Sequence, residues 1–214
     1  MSFDKGIELI IGPMFCDKTS EFIRRIRREK IARRNCQVFK PALAYRYGDE
    51  IISHNKDKLE CLSVDSSEEL KQKLKKETEI VGIDEIQFFD DNIINFLVDN
   101  QVNYHFIIAG LPLDFRGEPF KFKKSEKHIG ELMPYSRITY LNAICTYSID
   151  ENICGENAYF SQRLIDGKLA YYDSPLVLVG GTESYEARCM KHFYKPIKGE
   201  KNKFLVEGKV LDLS

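Results

Sequence analysis

The sequence predicts an α/β fold, a parallel sheet flanked by helices, followed by a small module that depends on a bound metal. Short β-rich apolar runs alternate with helical patterns through the first two thirds of the chain. Strands that alternate with helices in this way are joined as parallel neighbours. From about Ile144 the pattern changes to short segments, glycine turns and clustered Cys and His, with too few apolar residues for an independent core. A metal is expected to supply the missing stability there.

Strands are expected at "IELIIG", "CQVFK", "EIVGID" and "YHFIIAG". Helices are expected over Lys18 to Arg34, Glu68 to Lys76, Asp91 to Val98 and Glu126 to Tyr135. The first is amphipathic, with Phe22, Ile23, Ile26 and Ile31 set among Arg24, Arg25, Arg27, Arg28, Arg33 and Arg34. Ahead of the second, Ser66 stands three residues before Glu69, the spacing of a capping box. Residues 1–143 are read as the α/β domain, 144–195 as the metal module, and 196–214 as a loosely attached tail.

A chain of 214 residues suits one domain plus a small module. With 43% hydrophobic and 30% charged residues it is neither disordered nor fibrous. Its 32 Lys+Arg offset 33 Asp+Glu, which excludes a chain-wide pull on nucleic acid or an anionic membrane. The arginine-rich helix is the one local candidate for nucleic acid, and its apolar stripe reads rather as a solvated face or a subunit contact. The amino terminus lacks a signal-peptide pattern and no apolar run reaches the length of a membrane span, so a cytoplasmic protein is expected. Six cysteines, Cys16, Cys36, Cys61, Cys145, Cys154 and Cys189, then argue for metal or free thiols over disulfides.

Directly after the first strand comes "GPMFCDKT", Gly12 to Thr19, with the spacing of a phosphate-binding loop, G-x-x-x-x-G-K-[ST], and Asp17 in place of the second glycine. In such a P-loop, backbone N–H groups of Gly12, Pro13, Met14, Phe15, Cys16 and Asp17 (Pro13 excepted) curl around phosphate oxygens at a helix's positive end. Lys18 would neutralise the β- and γ-phosphates of ATP, and Thr19 would place its hydroxyl on Mg²⁺. Asp84 closes a second strand at "VGIDEIQFFD", where a magnesium-organising acid belongs. Glu85 beside it can accept a proton from an attacking hydroxyl while Asp84 holds metal.

These motifs, with "KPALAYRY", "ISH", "IDEIQFF", "GLPLDFRGEPF", "NAIC", "CGENAYFSQRLIDGK" and "LVGGTESYEARCMKH" in order from Ile7 to His192, resemble the type II thymidine kinases, zinc-containing nucleoside kinases. The resemblance implies a P-loop NTPase-like domain with a carboxyl-terminal zinc ribbon, and transfer of the ATP γ-phosphoryl group to the 5′-hydroxyl of thymidine. It implies Glu85 as general base, Asp84 and Gln87 on the nucleotide and magnesium side, and Arg46 near the phosphates. Met14, Phe88, Leu111, Phe115 and Phe120 would wall the thymidine pocket. Ser161, Leu176, Leu178, Gly180 and Tyr185 match the loop that closes over thymidine. It further implies a structural Zn²⁺ on Cys145, Cys154, Cys189 and His192, and a homotetramer. Family members carry a C-x2-C in the first knuckle; here Ser148 follows Cys145 at that spacing, and "CGENAYFSQR" continues from Cys154 as the family does after its second cysteine. Six residues are thus inserted inside the knuckle, a change expected to loosen the chelate, and either Cys154 or Ser148 completes the site.

Three departures surround the pocket: Asp17, Ala44 where the family has an acid, and an insertion at "KFKKSEKH". At an effective dielectric of about 20, a carboxylate about 4 Å from a phosphate charge costs roughly 4 kcal/mol. Two rival functions therefore stand beside the kinase: a catalytically weakened nucleotide-binding protein, and a zinc-ribbon nucleic-acid module using the arginine-rich helix.

Overall fold

Apolar runs become the strands of a parallel sheet because both of its faces are covered. The computed structural model describes residues 5–42, 50–53, 56–150, 152–176 and 183–213; Ala44, Arg46, Leu178 and Gly180 lie outside them. Two compact units are present. One comprises Met1–Ile11, Asp17–Pro112 and Phe120–Leu141, the other Gly12–Cys16, Leu113–Pro119 and Asn142–Ser214.

In the first unit the elements run β1 (Gly6–Ile11), α1 (Lys18–Ile31), β2 (Cys36–Pro41), β3 (Glu50–Ile52), β4 (Lys58–Glu60), β5 (Leu62–Val64), α2 (Ser67–Lys73), β6 (Ile80–Ile83), α3 (Asn92–Asn100), β7 (His105–Gly110) and β8 (Ser136–Tyr140). Among the described residues the main sheet has the order β5-β2-β6-β7-β1-β8, every neighbour parallel. Alternation along the strands sorts side chains to two faces. Ile7, Leu9 and Ile11 of β1 join Val81, Ile83, Phe106 and Ile108 in a core closed by Leu70 of α2 and Ile93, Phe96 and Leu97 of α3. Ile10 points the other way, with Val38, Ile80 and Ile107, onto Phe22, Ile23 and Ile26 of α1. Each of these α1 side chains is fully buried, which stabilises by roughly 1.5–3 kcal/mol apiece.

The expected elements differ from these mainly at their ends. Helix α1 stops at Ile31 because Arg33 takes a left-handed φ of 59°, and Arg33 N–H and Arg34 N–H return to the carbonyls of Lys30 and Glu29. Those two bonds are a Schellman cap, made here without glycine. Glu69 N–H donates to Ser66 Oγ at 3.2 Å, while the Glu69 carboxylate accepts from Asp65 N–H instead of closing the box on Ser66. The expected fourth α-helix is a 3-10 segment, Ile129–Tyr135. Pro134 within it has no N–H to donate, and His128 Nδ1 caps its start by accepting from Gly130 N–H at 3.1 Å.

The second unit is built from short antiparallel pieces: β9 (Ala143–Ile144), β10 (Ser148–Ile149), β11 (Asn152–Ile153), β12 (Asn157–Ala158), β13 (Phe160–Ile165), β14 (Lys168–Leu169), β15 (Glu183–Arg188), β16 (Lys195–Pro196), β17 (Lys203–Val206) and β18 (Lys209–Asp212). Strand β13 pairs with β14 and β15, β9 with β12, and β10 with β11. Phe160 and Phe193 stack at 4.3 Å, and Gln162 trades two hydrogen bonds with the backbone of Tyr194. The tail folds as the β16-β17-β18 meander. Glu207 and Gly208 both have positive φ, the signature of a tight two-residue hairpin turn, and Phe204 is buried.

Gly82 of β6 permits the closest approach of α1 to the sheet, since a Cβ there would meet Ile26 Cδ1 at 2.8 Å and Phe22 Cζ at 3.0 Å. Gly82→Val should therefore destabilise the protein by about 1–3 kcal/mol through overpacking, read as a lowered urea midpoint. Adding Ile26→Val should recover part of the loss; an unchanged midpoint for Gly82→Val alone would show that α1 is not held where described.

Candidate functional site

The carboxyl ends of β2, β6 and β7 stand level because Phe39 pairs with Ile83 and Ile83 with Ile108. Asp84 is the first residue past β6; its N–H donates to Phe39 O at 3.1 Å, and its side chain is buried. Burial, with the adjacent Glu85 charge, pushes its carboxyl up to about 7, against the pull of Lys18 and Lys40. Glu85 follows with φ 52° and ψ 42°, a left-handed conformation that costs a non-glycine residue of order 1 kcal/mol or more. Its N–H donates to Asp84 Oδ1 at 3.0 Å. Gln87, almost wholly buried, donates through Nε2 to the Glu85 carboxylate and accepts at Oε1 from Leu111 N–H at 3.1 Å. A Cβ on Gly110 would come within 2.7 Å of that Oε1, so glycine is what lets the amide reach the end of β7.

Phe88 meets Phe120 edge to face at 5.5 Å, and Leu111 is half-buried beside Gly110 in sequence. Lys40, which the sequence reading did not single out, is buried at the end of β2 and donates to Glu50 O at 2.9 Å. A lysine closing an apolar strand, level with an acid closing the next, was the available signal.

Asp17 has φ 61° and ψ 25°, the left-handed region that the replaced glycine would favour. It caps α1 with its carbonyl, which accepts from Glu21 N–H at 3.0 Å, while its side chain is solvent-exposed and makes no capping bond. Lys18 and Thr19 open α1 at its positive end. Exposure places water around the Asp17 carboxylate, so its repulsion of an anion falls well below the unscreened figure of roughly 4 kcal/mol.

In the second unit, Phe15 is also left-handed, φ 66°, and 44% exposed, and Cys16 is buried. Met14 N–H donates to Ser161 Oγ at 2.9 Å, joining the loop segment to β13. Phe115 is buried beneath two guanidinium groups, Arg116 at 4.5 Å and Arg163 at 5.1 Å from its ring. Arg163, fully buried, also faces Tyr185 at 5.9 Å and donates to Pro175 O. Arg116 donates to Tyr172 O at 2.6 Å and Ser174 O at 3.0 Å, and is itself held by Asp114 at 2.9 Å. Leu176 is exposed. The pattern "FSQRLI" gave no sign that its arginine would be buried, because strand alternation alone does not tell which face meets an aromatic ring.

Cys145, Cys154, Cys189 and His192 bring their ligand atoms within 4.8 Å of one another. Cys154 Sγ lies 3.9 Å from Cys189 Sγ, and His192 Nδ1 lies 3.4 Å from Cys189 Sγ and 3.7 Å from Cys145 Sγ. Tetrahedral zinc, with Zn–S about 2.3 Å and Zn–N about 2.0–2.1 Å, requires S···S edges of about 3.8 Å and S···N edges of about 3.5 Å. The set fits such an ion. Cys154 rather than Ser148 lies in the cluster; Ser148 belongs to β10 of the inserted hairpin. Cys154 N–H donates to Tyr147 O at 2.8 Å and closes that hairpin at its base.

Most arginines of this segment are paired with acids: in α1, Arg24 and Arg25 with Glu21, Arg25 also with Glu8, and Arg27 with Asp57, and just past its end Arg34 with Glu29. Hydrogen bonding to Arg24 leads the effects that hold the Glu21 carboxyl down at about 2. Charges neutralised in this way offer little to a phosphate backbone. No helix among the described residues is long and apolar enough to cross a membrane.

A family model described as thymidine kinase matches residues 5–193. The thymidine kinase of Thermococcus kodakarensis is 42% identical over 199 residues, 89% of this chain and 94% of that protein. A solved structure, the Legionella pneumophila ATPase DotB, is similar with a TM-score of 0.38 at 12% identity, covering 74% of this chain and 46% of that one. The chain thus spans under half of that ATPase. The strand-end acids, the P-loop spacing and a family match over nearly the whole length agree: the chain belongs to the thymidine kinase family.

Proposed function

We propose that the chain transfers the γ-phosphoryl group of ATP to the 5′-hydroxyl of thymidine, with Glu85 as general base. The observation that carries the assignment of Glu85 is its left-handed turn, held by Gln87 and Leu111 N–H. Backbone strain that its surroundings enforce, at a carboxylate on the sheet's carboxyl edge, fits a preorganised base. Glu85 takes the proton of the 5′-hydroxyl as that oxygen bonds to the γ-phosphorus and the bond to the β-γ bridging oxygen breaks, releasing ADP. The loop Gly12 to Asp17 and Lys18 bind the triphosphate, with Arg46 assigned to the same anion. Mg²⁺, when bound, neutralises charge on the phosphates. Thr19 and Asp84 would hold it, and a buried carboxyl with raised proton affinity is suited to exchanging its proton for a divalent cation.

Phe88, Leu111 and Phe120 in the first unit, and Met14, Phe115, Ser161, Leu176 and Tyr185 in the second, are assigned to thymidine, with Leu178 and Gly180. The cysteine-histidine cluster would hold structural zinc. We further assign a homotetramer working in the cytoplasm. Family membership favours the kinase over the binding-only and nucleic-acid readings.

Glu85→Gln should lower kcat by about 10²–10⁴-fold with KM values nearly unchanged; steady-state phosphorylation of labelled thymidine at saturating Mg·ATP measures this, and retained kcat would remove Glu85 from the chemistry. Asp17→Gly should lower KM for ATP by up to about tenfold, by removing a negative charge from the phosphate loop. A KM that rises instead would show the carboxylate to be a ligand.

Asp84 gives a pH signature in magnesium-free buffer. Its folded pKa is raised above the unfolded value, so the stability it contributes is complete below about pH 4 and is lost as pH rises through about 7. Between pH 5 and 8 the Tm of the native protein should fall relative to that of Asp84→Asn. Parallel curves would contradict the raised pKa.

A further inference from the structure

Beside the cysteine-histidine cluster stands a column of rings and charge that the kinase chemistry does not use. The Tyr147 ring stacks on the His192 imidazole, centroids 4.3 Å apart and planes 23° from parallel. On Tyr147 also lies the Arg188 guanidinium, its Cζ 4.7 Å from the ring centroid. Arg188 is buried; one nitrogen meets Glu186, and its Nε and Nη1 have no hydrogen-bond partner among the described residues. The tyrosine hydroxyl is 3.3 Å from that of Tyr194.

We infer that Tyr147, backed by Arg188, is a positioning residue for the metal: its ring fixes the plane of His192 so that Nδ1 faces the thiolates. This rests on the zinc reading of the cluster. An imidazole on a short C-x2-H turn has a rotatable side chain, and ordering it costs entropy that a stacked ring removes before the metal arrives. Three thiolates also outweigh a divalent cation, leaving a net negative site. A buried guanidinium with unbonded N–H groups, held through an aromatic face, offsets that charge without competing for sulfur. The insertion that separates Cys145 from Cys154 thus carries its own compensation. Tyr147 sits at the root of the inserted hairpin, its carbonyl bonded to the N–H of the ligand Cys154 and its ring on the ligand His192.

The test compares the full-length native protein with Tyr147→Leu, Tyr147→Phe and Arg188→Gln. Zinc release to a chromophoric chelator is followed, and the visible d–d bands of the cobalt-substituted forms are recorded. Tyr147→Leu should hold zinc about 10- to 100-fold more weakly and shift the cobalt bands. Tyr147→Phe, which keeps the stack, should match the native protein in both. Native-like zinc retention in Tyr147→Leu would overturn the clamp, as would equal weakening in Tyr147→Phe, which would place the effect in the hydroxyl. If Tyr147→Leu does not fold, Arg188→Gln decides: faster zinc release at native circular dichroism supports the column, and native release overturns it. A native protein that carries no zinc and shows no thiolate-to-cobalt charge-transfer band would instead refute the zinc reading, and the clamp with it.

Discussion

The hydrogen bond from Leu111 N–H to the buried Gln87 amide ties the turn after β6 to the end of β7, and the position of the Glu85 carboxylate depends on it. Without that anchor Gln87 would have no fixed orientation, and Glu85 would lose the donor that holds its carboxylate. Leaving the buried amide oxygen unpaired would itself cost about 1–3 kcal/mol. The bond needs a glycine at 110 and level strand ends, so it depends in turn on the register of β2, β6 and β7. A packed sheet thereby becomes a device for aiming one carboxylate.

Left-handed backbone recurs at Phe15, Asp17 and Glu85, each without the glycine that would make it easy. At roughly 1 kcal/mol or more apiece, these positions require a scaffold with stability to spare, and for Asp17 and Glu85 the two-sided core of the first unit provides it. Asp17 shows how geometry and electrostatics separate. Aspartate is among the residues that tolerate this conformation best, so the loop keeps its shape. The carboxylate points into water and is screened, so its remaining effect falls on anion affinity rather than on folding.

What the sequence made legible follows from where signals are local. Strands β1, β2, β6 and β7 were readable because burial on both faces leaves short, predominantly apolar runs, interrupted only by residues such as Glu8 and Gln37. β8 was not, since the edge strand "SRITY" is half exposed and mixed in character. The end of α1 was missed because a Schellman cap without glycine has no compositional mark. Asp84, Glu85 and the Cys145, Cys154, Cys189 and His192 cluster were singled out through motifs, whereas the burial of Lys40 and Arg163 and the stacking of Tyr147 depend on neighbours distant in sequence. The tail, too polar to suggest a core, folds around the buried Phe204 side chain and two turns.

The second unit places the opposite demand on its sequence. Its large buried aromatics are few, and buried arginines, glutamine and serine take the space that aliphatic side chains fill in the first unit. Each such polar group is costly unless satisfied, so order here comes from directed contacts: guanidinium on Phe115, amide on the Tyr194 backbone, imidazole on Tyr147. A network of this kind is specific, and it fails together when one member is lost. A metal drawing Cys145, Cys154, Cys189 and His192 to one point would connect the root of the inserted hairpin to the end of β15. The hairpin between Cys145 and Cys154 folds back on itself and leaves both sulfur atoms within 4.8 Å of the other atoms of the cluster.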